Sequence, residues 1–205
     1  MTRLGRFVML PSSMERNRLE AFSDGVIAII ITIMVLEVKV PHGTSWSDLV
    51  PMLPTFLSYV LSFIYIGIYW TNHHHLFQTV RRINGPILWA NLHLLFWLSL
   101  IPFVTAWAGE NHFASVPIAA YGITFLLAGC AYTILVQLLI REHGRDSVLA
   151  KAMGSDTKGK ISLVIYAIAI ALSCRSPESS CALFVLVAIM WIIPDRRIER
   201  LINRK

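Results

Sequence analysis

The hydrophobic pattern divides the chain into six apolar segments separated by polar stretches. The segments occupy residues 22–40, 49–70 (continuing helically to 80), 86–107, 116–140, 161–173 and 181–193. A helix needs roughly 17–25 apolar residues to cross a bilayer, a length that the first four segments reach. The last two are shorter, so they would have to use flanking polar residues or cross a locally thin region. The pattern predicts an all-α integral membrane protein with six transmembrane helices.

Composition supports a membrane location. Apolar residues make up 56% of the chain and charged residues 15%, and the mean hydropathy is +0.62. Soluble domains carry roughly 45–50% apolar and about 25% charged residues. Backbone groups in hydrocarbon must be satisfied internally, which favours a helical bundle. We therefore expect residues 1–205 to form one six-helix transmembrane domain, with a cytoplasmic arm at 1–17, a cytoplasmic loop at 141–160 and a basic cytoplasmic tail at 195–205.

The distribution of basic residues predicts the orientation. The formal net charge is +6, and sixteen of the eighteen lysines and arginines fall on the side of the N-terminus if six segments cross. Only Lys39 and Arg175 fall on the other side. Basic residues concentrate in cytoplasmic loops, so both termini are expected in the cytoplasm. The charge thus indicates topology, and it gives no reason to expect a nucleic-acid partner.

Sequence motifs for catalysis are missing. The chain has no G-x-x-x-x-G-K-[ST], G-x-S-x-G or H-E-x-x-H and no metal-type C-x-x-C. We therefore expect neither an enzyme nor a bound cofactor. Cys174 and Cys181 flank the predicted outer loop, and a disulfide between them is one of two alternatives. Cysteine is equally common as a small buried apolar residue.

The first apolar segment begins with the charged and hydrogen-bonding run R-L-E-A-F-S-D at residues 18–24. Ionisable groups at the mouth of a membrane helix are costly and usually have partners and a function. In a regular helix, at about 100° per residue, one stripe carries four side chains: Ile29, Thr32, Ile33 and Leu36. Ser23 and Asp24 lie about 120–140° away from Ile29. One of these two surfaces should therefore face a lumen or symmetry axis, and the other should face neighbouring helices.

A histidine-rich run, W-T-N-H-H-H-L-F at residues 70–77, ends the second predicted helix. This helix would bring the run level with the mouth of the first, and histidine and asparagine can hydrogen-bond across helices. We expect Ser23 and Asp24 to bond Asn72 and one or more histidines, with Arg18 in the network. This predicted polar lock comprises Arg18, Phe22, Ser23, Asp24, Asn72, His73, His74 and His75. Adjacent histidines on a helix point about 100° apart and cannot converge on one metal ion, so a metal site is disfavoured.

The run R-x-x-x-F-S-D at 18–24 and the phrase W-I-I-P-D-R-R-I-E-R at 191–200 resemble the transmembrane protein 175 family of potassium channels. Its members are found in endosomes, lysosomes and bacterial membranes, and the single F-S-D run matches the bacterial form. The resemblance implies a homotetramer in a bacterial plasma membrane, with a central pore lined by the first helix. It also implies three partners: potassium ions, the lipid bilayer and other copies of the chain.

The resemblance assigns roles to the four residues of the stripe. Ile29 would be the narrow constriction, and Ile33 and Leu36 would form further apolar rings of the gate. Thr32 would supply a hydroxyl ring for selectivity, with potassium passing close to it. Apolar rings can gate by dewetting. The expected function is a potassium-selective channel, with proton permeation left open. The alternative is a secondary transporter of a cation or small solute, although the chain lacks recognisable paired halves.

Overall fold

The computed structural model describes residues 12–154 and 156–192, and all regular structure within them is helical. The helices are α1 Ser12–Leu36, α2 Leu53–Gln78, α3 Gly85–Ser99, α4 Ile101–Glu110, α5 Ser115–His143, α6 Val148–Met153, α7 Thr157–Ser173 and α8 Pro177–Ile192. A 3-10 helix, Trp46–Met52, leads into α2. The predicted tail at 195–205 and most of the predicted arm at 1–17 lie outside the described residues.

Four stretches are long and apolar enough to cross a membrane: Glu15–Leu36, Trp46–Gln78, Gly85–Glu110 and Ser115–His143. They correspond to the first four predicted segments. The third stretch contains two helices, because α3 ends at Ser99 and α4 begins at Ile101. Pro102 explains the break, since proline has no N–H to donate to the carbonyl four residues earlier. The chain is a multi-pass membrane protein.

The last two predicted segments form α7 and α8, each beginning four residues earlier than expected. With 17 and 16 residues, they extend only about 25 Å at roughly 1.5 Å per residue. The predicted loop at 141–160 contains the end of α5, the short helix α6 and the start of α7. The stretch predicted as a loop is therefore partly helical.

An aromatic cluster joins the α7–α8 hairpin to the other helices. The rings of Tyr65 in α2 and Phe125 in α5 lie 4.3 Å apart, and Tyr166 of α7 lies 6.2 Å from Phe125. The Tyr65 hydroxyl also donates to the carbonyl of Phe184 in α8 at 2.6 Å. These rings are almost fully buried, so α2, α5, α7 and α8 share one interior.

The C-terminal end of α1 is linked to α4. The ammonium of Lys39, just beyond α1, lies 2.6 Å from the carboxylate of Glu110. Hydrogen bonding and charge attraction from Glu110 raise the pKa of Lys39. Both side chains are exposed, so this pair orients the helix end and contributes little to the free energy of unfolding.

Candidate functional site: the exposed face of the first helix and its polar support

The first helix packs against its own subunit through one face only. Its buried side chains recur at intervals of three and four residues and are Leu19, Ser23, Ile27, Ile30 and Met34. They face α2, α3 and α4, the helices that contact α1. This spacing is the period of an α-helix, so the whole length of α1 has a fixed orientation in the subunit. The opposite face has no partner within the described residues.

The four residues of the predicted stripe all lie on that open face. Ile29 is 57% exposed, Ile33 42% and Leu36 78%, and Thr32 is exposed between them. The Thr32 hydroxyl donates to the Ile29 carbonyl at 2.9 Å. This bond uses the hydroxyl proton and leaves the oxygen able to accept a further hydrogen bond. The stripe therefore presents apolar side chains and one acceptor oxygen to whatever lies beyond α1.

Ser23 is fully buried behind this stripe in a chain of hydrogen bonds that joins three helices. Its hydroxyl donates to the Leu19 carbonyl at 2.9 Å and accepts from the Asn91 amide of α3 at 2.9 Å. The Asn91 carbonyl oxygen then pairs with Nε2 of His73 in α2 at 2.8 Å. Ser23, Asn91 and His73 are each at most 1% exposed. These bonds connect α1, α2 and α3 at one level.

The tautomer of His73 follows from this arrangement. The Asn91 amide nitrogen donates to Ser23, so its carbonyl oxygen must accept, and His73 donates from Nε2. Its Nδ1 is then an unprotonated acceptor, and that atom is buried with no partner in the described part of the chain. A second proton on this ring would have no acceptor. The arrangement holds His73 in the neutral form.

A second group of polar contacts lies nearer the surface, next to the first. The indole N–H of Trp70 donates to the Asp24 carboxylate at 3.0 Å. The His74 ring stacks on Trp70 with centroids 5.9 Å apart, and its Nδ1 lies 2.9 Å from the Glu20 carboxylate. Gln78 contacts the other ring nitrogen of His74 at 2.8 Å. Asp24 and Glu20 thus both bind side chains of α2.

The structure corrects the partners predicted for several residues of the polar lock. Asn72 lies on a different side of α2, where its amide donates to the Ile68 carbonyl of its own helix at 2.9 Å, so it does not bond Asp24. Arg18 is exposed and makes no hydrogen bond to the network among the described residues. His75 makes no hydrogen bond in the described part of the chain, and its ring centroid lies 6.0 Å from that of His74. Phe22 is exposed on the open face of α1.

Sequence reasoning missed Asn91, Trp70, Glu20 and Gln78. Asn91 had a detectable signal, because it is an amide inside the apolar segment 86–107, where an unpaired polar group is costly. No cluster of three histidine, cysteine or acidic residues suited to a metal ion occurs among the described residues. The three cysteines are free there, and Cys174 is exposed.

Comparison with known proteins decides the family. A family model described as endosomal/lysosomal potassium channel TMEM175 matches residues 18–102, which include the polar run and the histidine run. The crystal structure of a lysosomal potassium-selective channel TMEM175 homologue from Chamaesiphon minutus superimposes with a TM-score of 0.76. The two sequences are 31% identical, and the match covers 88% of this chain and 97% of that one. This chain belongs to the TMEM175 family.

Relatives within the TMEM175 family are bacterial and animal. A protein of Chryseobacterium sp. named as a potassium channel is 58% identical over 91% of this chain and 97% of its own length. An animal relative, the endosomal/lysosomal proton channel TMEM175 of Gallus gallus, is 28% identical over 65% of this chain but only 30% of its own length. The resemblance seen in the sequence is therefore confirmed, and the family is one of ion channels rather than enzymes.

Proposed function

We propose that this chain is the subunit of a potassium-selective channel whose pore is lined by α1. The observation that carries the proposal is the open face of α1. The helix is fixed to its subunit by the buried face and by Ser23, while Ile29, Thr32 and Leu36 are exposed. The relatives named as potassium channels and the potassium-selective structural neighbour support the same reading.

The open face also has room for a neighbouring subunit. Beside the stripe runs a ridge of small exposed residues at helical spacing, namely Ala21, Gly25, Ala28 and Thr32. A Cβ added at Gly25 would meet no atom within 4 Å. Small side chains allow helices to approach closely inside a bilayer. This supports packing of α1 helices from several subunits around one axis, and we take the assembly to be a homotetramer.

The stripe suits a pore that closes by dewetting. In a ring of subunits, Ile29 forms the constriction, and Ile33 and Leu36 form wider apolar rings toward the outer end. Large aliphatic rings exclude water when they are narrow enough. Thr32 places one acceptor oxygen per subunit between them, where it faces a partly hydrated potassium ion. Selectivity then depends on the hydroxyl ring, because the chain has no T-V-G-Y-G carbonyl filter.

The membrane arrangement that accompanies this pore has six crossings. The α7–α8 hairpin packs against α5 and α2, so it lies beside helices long enough to span. Its helices are a few ångströms shorter than the hydrocarbon layer of about 30 Å, a mismatch that local thinning accommodates. The charge asymmetry supports both termini in the cytoplasm of a bacterium, with residues 1–205 forming one channel domain in the plasma membrane.

The test is ion flux through purified protein in liposomes. A potassium-selective channel lets potassium flow down its electrochemical gradient without a second solute. It also conducts potassium faster than sodium. A secondary transporter would saturate and would exchange one solute for another. Flux that requires a second solute would refute the channel, and equal potassium and sodium currents would refute the selectivity.

A further inference from the structure

A second polar region lies inside the subunit, away from α1. A cavity of about 50 Å³ lies between α2, α5, α7 and α8. Compared with the space that one water molecule needs, this volume has room for about three or four groups of that size. Its wall includes five aromatic rings, those of Tyr65, Tyr69, Tyr132, Tyr166 and Trp191. The carboxylate of Asp156, at the start of α7, completes the wall on one side.

Three hydroxyl groups of this wall already donate their protons to main-chain carbonyls. Tyr132 donates to the Asn72 carbonyl at 3.3 Å, Thr133 to the Gly129 carbonyl at 2.9 Å, and Ser162 to the Lys158 carbonyl at 2.8 Å. Each of these oxygens retains lone pairs and so can accept a further hydrogen bond. The cavity therefore offers these three oxygens as acceptors. Such acceptors suit a ligand that carries N–H groups.

Asp156 contributes a carboxylate to the lining. Its Oδ1 accepts from the Gly159 amide at 3.2 Å, and Lys160 is close enough to favour the charged form. Burial is nevertheless the larger effect, and it raises the pKa of Asp156 above its ordinary value. A half-buried carboxylate beside aromatic faces would be stabilised by a nearby cation.

The aromatic part of the wall already attracts an ammonium group. The Lys158 ammonium lies 5.9 Å from the centroid of the Trp191 ring, within cation–π range. Elsewhere in the lining, the rings of Tyr69 and Tyr132 meet edge to face with centroids 6.3 Å apart. Rings at different tilts, together with one carboxylate, are the elements from which proteins build sites for organic ammonium groups.

We propose that this cavity binds a small organic cation of the alkylammonium or guanidinium class. The carboxylate of Asp156 pairs with the charge, the aromatic faces enclose the carbon atoms, and the wall hydroxyls accept the N–H bonds. The volume limits the ligand to about four non-hydrogen atoms. The site is independent of the pore, because its lining comes from α2, α5, α7 and α8 and includes no residue of α1.

The experiment is equilibrium dialysis of purified protein with radiolabelled methylammonium at a constant potassium chloride concentration. We expect saturable binding of one molecule per chain. Asp156→Asn should weaken it about tenfold or more, because the ligand loses its counter-charge and keeps only a neutral hydrogen bond. Asparagine retains the cap of α7 and tolerates the left-handed backbone at this position, where φ is 43°. The matched control is Asp146→Asn, an exposed acidic residue in the preceding loop, which should bind like the wild type.

Two further variants keep the result interpretable. Trp191→Phe should weaken binding through the smaller ring face even if Asp156→Asn does not fold. Thr32→Ala alters the pore stripe and should bind methylammonium normally, which separates this site from the pore. Binding that is absent or unsaturable, or that survives both Asp156→Asn and Trp191→Phe, would overturn the proposal, and binding lost in Thr32→Ala would assign it to the pore instead.

Discussion

Asn91 should hold α1 in its orientation, and replacing it by leucine tests this directly. Asn91→Leu removes two hydrogen bonds, of 2.9 Å to Ser23 and 2.8 Å to His73. It leaves the Nε2 proton of His73 buried without an acceptor, whereas Ser23 keeps its bond to the Leu19 carbonyl. In a soluble core, an orphaned donor alone costs about 1–3 kcal/mol.

The bilayer reduces this cost. Hydrogen bonds between membrane helices average about 0.6 kcal/mol, because the unfolded chain in the membrane also finds partners. Two bonds at that value give about 1.2 kcal/mol, and full burial of all three residues argues for more. We therefore expect Asn91→Leu to lower the free energy of unfolding by about 1–3 kcal/mol.

The assay is reversible unfolding of the purified protein in mixed micelles, followed by far-ultraviolet circular dichroism. The matched control is Asn72→Leu, because the Asn72 amide bonds only its own helix. We expect this control to cost about 0.5 kcal/mol or less. A double-mutant cycle with Ser23→Ala should give a coupling of about 0.5–1.5 kcal/mol. Equal effects of the two asparagine variants, or a coupling near zero, would refute the role of the three-helix chain.

Three further predictions concern the pore, its mouth and the topology. Ile29→Asn should wet the constriction and raise basal conductance in liposome flux, whereas Ile168→Asn, 48% exposed on α7, should not. Thr32→Ala should lower the preference for potassium over sodium with little increase in basal current. Unchanged currents in both Ile29→Asn and Thr32→Ala would contradict a pore lined by α1. Asp24→Ala should impair assembly, measured as yield of the oligomer, more than selectivity; a normal oligomer with altered selectivity would place Asp24 in the pore. Ser45→Cys should react with impermeant thiol reagents from outside the cell, and labelling only from inside would reverse the topology.

The sequence pattern predicted correctly those features that depend on a single helix. The helical period alone separated Ile29 and Leu36 from Ser23, and the structure places these two sets on opposite faces of α1. Helical geometry over such a short distance depends only on the local backbone, so no tertiary information was needed. Hydropathy found the four long spans for the same reason, since length and apolar content are properties of each segment alone.

Partners across helices could not be predicted in this way. Ser23 and Asn91 are 68 residues apart, and Asp24 and Trp70 are 46 apart. The polar run predicted that Asp24 needs a donor on α2, but Asn72 and the histidines were named for this role and the structure supplies Trp70. The rotation of α2 about its axis selects the donor, and that rotation follows from packing with α4 and α8. It places Asn72 on the side of α2 that faces α5, where the Asn72 amide bonds its own helix. It also turns the indole of Trp70 toward Asp24.

The sequence by itself thus determined a membrane protein of long apolar helices, the two faces of α1 and the membership of the TMEM175 family. Tertiary structure alone decided that Asn91 completes the buried chain, that α7 and α8 close one side of the subunit, and that five aromatic rings and Asp156 surround one cavity. The physical reason is that hydropathy and helical period are properties of a single helix, whereas these contacts join residues from separate helices whose rotation and depth are fixed only by packing.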